Sequence, residues 1–118
     1  MKRYLFVLRK PAHSGAYLQE MLDIILITAA FDQSVSILWL DDAVFHLKNN
    51  QQPDVLSMKD TAAMLQSLSI YDVTELYTET ESLQERGLMT DGLCLPVQTL
   101  PRQEIGEFMQ GFDIVFAG

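Results

Sequence analysis

Tyr4-Leu5-Phe6-Val7-Leu8 is an unbroken apolar run, with no polar residue to mark an outer face. Such a run is expected of a strand buried on both sides. Lys10-Pro11-Ala12-His13-Ser14-Gly15 follows, a loop by its proline and glycine. Ala16 to Phe31 then carries Leu18, Met21, Leu22, Ile25, Leu26 and Ala29 at helical spacing. Ile24 and Ile27 widen that stripe, so the helix is expected to be buried on more than one side. Asp32-Gln33-Ser34 is a turn, and Val35-Ser36-Ile37-Leu38-Trp39-Leu40 is a second strand stopped by Asp41-Asp42. Strand, helix and strand in this order make a βαβ unit, which implies a parallel sheet.

The rest of the chain repeats the alternation. Ala43-Val44-Phe45-His46-Leu47 reads as a short helical turn, and Lys48 to Pro53 as a polar loop. Ser57 followed by Asp60 resembles a capping box, opening a helix with Ala62, Ala63, Leu65 and Leu68 inward. Thr74 to Thr78 is a third strand. Ser82 to Arg86 is a short helix closed by Gly87, the residue expected where the backbone turns left-handed. Leu93 to Val97 is read as a fourth strand, although Pro96 cannot donate to a ladder and demotes it to an edge, a bulge or a short run. Pro101 suits the first helical position, Gly111 closes that helix, and Asp113 to Phe116 is a fifth strand. The expectation is an α/β fold, a single domain over residues 1–118, with helices on both faces of a parallel sheet.

The 118 residues carry 16 acids against 8 bases, a net charge of −8, and four of the bases lie in the first ten positions. An acid excess without a basic stripe serves solubility and makes a poor surface for nucleic acid, whose phosphates attract Lys and Arg. No apolar run approaches the ~20 residues of a membrane-spanning helix. The apolar run near the N-terminus is shorter than the roughly 7–15 residues of a signal peptide. A cytoplasmic, reduced protein is therefore expected. The single cysteine excludes an internal disulfide and a four-cysteine zinc site.

Sites in such sheets lie at the carboxyl ends of strands. The first loop lacks the G-x-G-x-x-G and G-x-x-x-x-G-K-[ST] patterns that cradle phosphates, which disfavours a nucleotide, and no cofactor is implied. His13 and Ser14 lie in that loop and either face a site or sit on the surface. Asp41-Asp42 follow the second strand. The pair would suit a metal, but no third ligand has suggestive spacing, so a cap or solvated turn is the reading preferred. His46 sits in an apolar pentapeptide and reads as packed. Cys94 lies between Leu93 and Leu95, where a thiol behaves as a small apolar group rather than as a nucleophile.

Several segments together resemble the TusC/DsrF family, a subunit type of the TusBCD and DsrEFH sulfur-relay complexes. They are Phe6-Val7, Pro11-Ala12-His13, Leu22-Asp23, Asp42-Ala43-Val44-Phe45-His46-Leu47, Pro53-Asp54 and Ile70-Tyr71-Asp72-Val73. Ser82-Leu83-Gln84-Glu85-Arg86-Gly87-Leu88 and Phe112-Asp113-Ile114-Val115 complete the set, in order and over nearly the whole chain.

The resemblance implies a DsrE-like three-layer α/β/α sandwich with a five-stranded parallel sheet. It implies a heterohexamer with homologous B/H-type and D/E-type subunits. Sulfur would travel as a persulfide on a cysteine of the D/E-type partner, which passes it to a downstream acceptor. That cysteine follows the third strand. Here Tyr77-Thr78-Glu79-Thr80-Glu81 occupies the stretch, with Glu79 at or near the equivalent place. A carboxylate cannot accept and pass on sulfane sulfur, so a non-catalytic subunit is expected. Val44 to Leu47, with the large Phe45, reads equally as partner contact or as core. The pathway would be tRNA wobble-uridine 2-thiolation or, for a DsrF-type chain, sulfur oxidation. A small homo-oligomeric sulfur carrier or enzyme using His13, Ser14, Asp42 and Glu79 is the reading from another class, and a ligand-binding domain without chemistry is a third.

Overall fold

A computed structural model describes residues 2–10, 17–31, 33–47, 66–90, 93 and 96–117. Five strands form one sheet: β1 (Arg3–Leu8), β2 (Ser34–Trp39), β3 (Glu75–Glu79), β4 (Gln98–Leu100) and β5 (Ile114–Ala117). Their order is β4-β3-β2-β1-β5, and every pairing is parallel. The helices are α1 (Tyr17–Ala30), α2 (described over 66–70), α3 (Thr80–Glu85) and α4 (Arg102–Gln110). A 3-10 helix spans Asp41–Leu47.

The strand order explains the layers. From β1 to β4 each connection steps the sheet in the same direction, and right-handed crossovers then put their helices on one face. The connection from β4 to β5 returns past β3, β2 and β1, so α4 lands on the opposite face. Two apolar clusters record this. Phe6, Leu8, Val35, Ile37, Trp39 and Leu76 pack with Met21, Leu22 and Ile25 of α1, with Val44 and Leu47 of the 3-10 helix, and with Leu68 and Leu83. Leu5, Val7, Leu38 and Leu40 pack with Ile105 of α4. Alternate residues of β1 thus enter opposite cores, which is why its apolar run is continuous. The architecture is a three-layer α/β/α sandwich.

Most elements start and stop within one or two residues of the sequence expectation. Gly87 has φ +67, its N–H donates to the Gln84 carbonyl, and the Leu88 N–H donates back to Leu83 at 2.9 Å. This is the paired helix closure that only a left-handed residue permits cheaply. The short turn after β2 is the 3-10 helix.

The fourth strand is corrected. It runs over Gln98–Leu100; of the expected Leu93 to Val97, Leu93 makes an isolated bridge, Pro96 and Val97 lie outside the strand, and Cys94 and Leu95 are outside the described residues. Pro96 has no N–H, so the ladder to β3 begins beyond it, pairing Tyr77 with Gln98 and Glu79 with Leu100. Pro101 is the N-cap of α4, with φ −63 and ψ 147, and the first helical residue is Arg102. Gly111 caps that helix in an ordinary right-handed conformation, φ −77. The strand β5 begins at Ile114, and Asp113 before it is engaged with Arg3. Its N–H donates to the Arg3 carbonyl (2.9 Å) and its Oδ2 accepts the Arg3 N–H (2.7 Å).

The helix α1 also departs from the expectation of burial on more than one side. Ile24 is 39% exposed and Ile27 59%, so the helix is buried on its sheet-facing side alone. A helix in an outer layer meets the sheet with one face, and among the described residues none lies across the Ile24 and Ile27 side. Among the described residues no helix is long and apolar enough to cross a membrane. The Ser57–Asp60 capping box and its Ala62, Ala63 and Leu65 lie outside the described residues, as does the loop from Pro11 to Gly15.

Candidate functional site

The carboxyl end of β3 gathers the polar side chains of this fold. Glu79 is the last residue of β3 and the N-cap of α3, with φ −79 and ψ 128. Its side chain, 8% exposed, makes no cap bond to the helix backbone. Instead its Oε1 accepts two hydrogen bonds, from the Ser82 hydroxyl at 2.6 Å and from Arg102 Nη2 at 3.0 Å. Ser82, fully buried, accepts in turn from the Asp41 N–H at 3.0 Å. Asp41 holds φ +53, a left-handed conformation that aspartate tolerates better than most residues. The turn after β2, the end of β3 and the start of α3 are thus tied by one serine.

Arg102 closes the arrangement from the opposite layer. Besides Glu79 it reaches both carboxylate oxygens of Glu85 at 3.1 Å, and its backbone N–H donates to Glu81 Oε1 at 2.9 Å. That last contact satisfies one of the free N–H groups of the first turn of α4, where an acid is also favoured by the helix dipole. Three acids of the β3–α3 segment therefore converge on the first residue of α4.

Burial alone would push the Glu79 carboxyl up. The hydrogen bonds from Arg102 and Ser82, with the charges of Arg102 and Arg86, outweigh it and hold the group below the usual carboxylate value. Hydrogen bonds to Glu79 and Glu85 push the Arg102 guanidinium further up, so both partners are charged at neutral pH. Glu79 is thus a carboxylate anion held by Ser82 and Arg102.

Asp42, exposed, accepts from Arg86 Nε at 2.9 Å. Arg86 Nη1 also donates to the Ser82 carbonyl at 3.2 Å, and Arg9 lies 3.8 Å from Asp41. The aspartate pair thus meets arginines. Among the described residues no group of three or more His, Cys, Asp or Glu is placed to hold a metal. Phe45 is half-buried, while Val44, His46 and Leu47 are buried in the 3-10 helix, so that turn is largely core. His13, Ser14 and Cys94 lie outside the described residues. The structure brings Asp42 and Glu79 to one edge, linked through Arg86 and Ser82. Sequence reading missed Arg102, Ser82 and Glu85 as members of this cluster. The one available signal was that Arg102 is among only four bases after residue 40, directly behind a proline.

The model of the DsrE/DsrF-like family matches residues 2–117. The chain belongs to the DsrE/DsrF-like family. Within it, this chain is 40% identical to the Protein TusC homolog of Pseudomonas aeruginosa, over 94% of this chain and 93% of that one. It is 37% identical to the intracellular sulfur oxidation protein DsrF of Allochromatium vinosum, over 79% of this chain and 68% of the relative. Protein TusC of Shigella flexneri is 36% identical over 75% and 74%. Among solved structures, the ychN protein from E. coli superposes with a TM-score of 0.80 at 16% identity, covering all of both chains. MTH1491 from Methanobacterium thermoautotrophicum does so at 0.76 and 10%, again over both whole chains. These two likenesses bear on the fold, which is DsrE-like.

Proposed function

We propose that this chain is the non-catalytic subunit of a heterohexameric sulfur-relay complex that passes persulfide sulfur between proteins in the cytoplasm, serving tRNA wobble-uridine 2-thiolation. The observation that carries the reading is the 40% identity to a TusC homolog across nearly the full length of both chains. The geometry at Glu79 supports the non-catalytic part. A carrier must offer an exposed thiolate of lowered pKa. At or near the place where the family resemblance sets the partner's cysteine, this chain has the Glu79 carboxylate, bonded to Ser82 and Arg102. A carboxylate has no sulfur to form the S–S bond of a persulfide. The partners of this reading are B-type and D-type subunits, the D-type one carrying the sulfur onward, and the acid excess leaves tRNA to other members of the relay.

The experiment is sulfur transfer from a radiolabelled persulfide donor. The isolated chain is expected to take up no label, and the complex with B- and D-type subunits to take it up on the D-type cysteine. Label retained by this chain alone would overturn the reading in favour of a self-sufficient carrier. Cys94→Ser is expected to leave transfer by the complex at the wild-type rate; loss of transfer with the assembly intact would make Cys94 a carrier. The DsrF likeness favours a second reading, a subunit serving sulfur oxidation. The neighbouring reading frames decide between the two: B- and D-type genes alone support thiolation, and a sulfite-reductase cluster supports oxidation.

A further inference from the structure

The helix α4 is fastened at its two ends by different means. Its N-cap, Pro101, offers no side-chain bond to the first turn. The fastening comes from the β3–α3 segment instead. Glu81 accepts the Arg102 N–H at 2.9 Å, and Arg102 Nη2 reaches Glu79 at 3.0 Å and Glu85 at 3.1 Å. The far end is tied to β1. Arg3 Nη1 donates to the Gly111 carbonyl at 2.7 Å, and its guanidinium lies 4.6 Å from the centre of the Phe112 ring. Asp113 adds bonds to both the N–H and the carbonyl of Arg3. Phe108, in contact with the rings of Tyr77 and Phe112, belongs to this end. Between the two stands Gly106. Glycine weakens a helix interior more than any residue but proline. A Cβ at Gly106 would meet nothing within 4 Å, so no neighbour requires its absence.

We propose that residues 102–105 form a clasp that opens at Gly106 while the rest of α4 stays on the sheet. The polar contacts of the clasp are lost together, because the Arg102 side chain and its N–H both address the β3–α3 segment. Its one buried side chain is Ile105, beside Leu5, Val7, Leu38 and Leu40. Opening withdraws both residues. It leaves Glu79 with the Ser82 hydroxyl, and with solvent in place of its arginine, and it bares the carboxyl end of β3. The turn that remains keeps its own bonds. The Gly111 and Phe112 N–H groups donate to the Phe108 and Met109 carbonyls, each at 3.2 Å. It also keeps Arg3 and the Phe108 ring contacts. Local openings of this kind occur where buried apolar contacts are few. The clasp governs access to the carboxyl end of β3 from the α4 side. It stands apart from the sulfur-relay reading, since each of its contacts lies within this chain.

The test is amide exchange of the full chain, read residue by residue by NMR. In an α-helix each N–H donates to the carbonyl four residues back, so the clasp carries the acceptors of residues 106–109. Those amides are expected to exchange together, and faster than those of residues 110–112. One common rate for 106–112, or faster exchange in 110–112, overturns the clasp. Arg102→Gln is expected to speed exchange in 106–109 about tenfold, the worth of charge-assisted hydrogen bonds, and to leave 110–112 unchanged. Gly106→Ala is expected to slow exchange in 106–109 about fivefold, as alanine strengthens a helix interior, again without moving 110–112. This second variant decides the matter if Arg102→Gln does not fold, since its methyl enters open space. Exchange in 106–109 that ignores a folded variant, or that shifts equally in 110–112, means that α4 opens as a whole and overturns the proposal. None of these measurements involves a partner subunit, so the sulfur-relay reading stands or falls separately.

Discussion

Glu79 sits between two opposing pulls, burial that disfavours its charge and two donors that favour it, and the donors win. The balance makes this one residue a pH sensor for stability. A carboxyl whose folded value lies below its unfolded value contributes stability above the unfolded value, near 4.5, and loses it as pH falls through the folded value. Wild-type urea midpoints are therefore expected to fall from pH 5 downward, and Glu79→Gln to flatten part of that slope. At pH 7 the substitution is expected to cost about 1–2 kcal/mol, the worth of charge-assisted hydrogen bonds at a site whose Arg102 side is wet. Identical slopes for the two proteins would show that Glu79 contributes nothing to the acid limb. The family resemblance singled out Glu79, and nothing in the sequence pointed to the partners it meets here. Ser82 is three residues away and lies within helix-cap reach, whereas Arg102 is 23 residues distant and reaches Glu79 only because α4 crosses to the other face of the sheet. No local pattern encodes that meeting.

At the scale of elements, the legible features were those set by local chemistry. Gly87 is the clearest: a glycine after a short helical stripe predicts a left-handed closure, and φ is +67. A Cβ at this position would meet nothing within 4 Å, so substitution brings no clash and the cost is conformational alone. Gly87→Ala is accordingly expected to lose about 1 kcal/mol, although alanine is the better helix former, and Gly87→Asn less. Chemical denaturation of the three proteins measures it, and a neutral or stabilising alanine would mean that the closure is not held in solution. The fourth strand was misplaced for a related reason. Leu93 to Val97 has the apolar composition of a strand, but Pro96 within it has no N–H to give, and the three residues that pair with β3 are Gln98–Leu100, beyond it. The outer stripe of α1 shows a different limit. Apolar residues at helical spacing state that a face needs cover, and they do not state whether the cover belongs to the same chain.

For the whole molecule, the strand order has an energetic consequence. Three crossovers in one direction load α1, α2, α3 and the 3-10 helix onto one face, and the single return crossover leaves α4 to cover the other. Among the described residues the first core is correspondingly the larger, and the second centres on Ile105 with Leu5, Val7, Leu38 and Leu40. Around Ile105, Phe108 packs on Tyr77 at 4.6 Å and on Phe112 at 5.1 Å, so the α4 layer rests on a few side chains and on the Arg102 contacts at its start. Regions with few buried apolar contacts open at lower free energy than the core. Amide exchange in α4 is therefore expected to be faster than in β1 and β2, and to proceed by an opening that leaves the α1 face closed. Ile105→Ala, which removes a side chain only 7% exposed, is expected to cost about 2–4 kcal/mol. It should also speed exchange in α4 more than in α1. Uniform acceleration throughout the sheet would instead show that the two faces unfold as one unit. That result would mean the crossover from β4 to β5 binds the layers together as firmly as the larger core does.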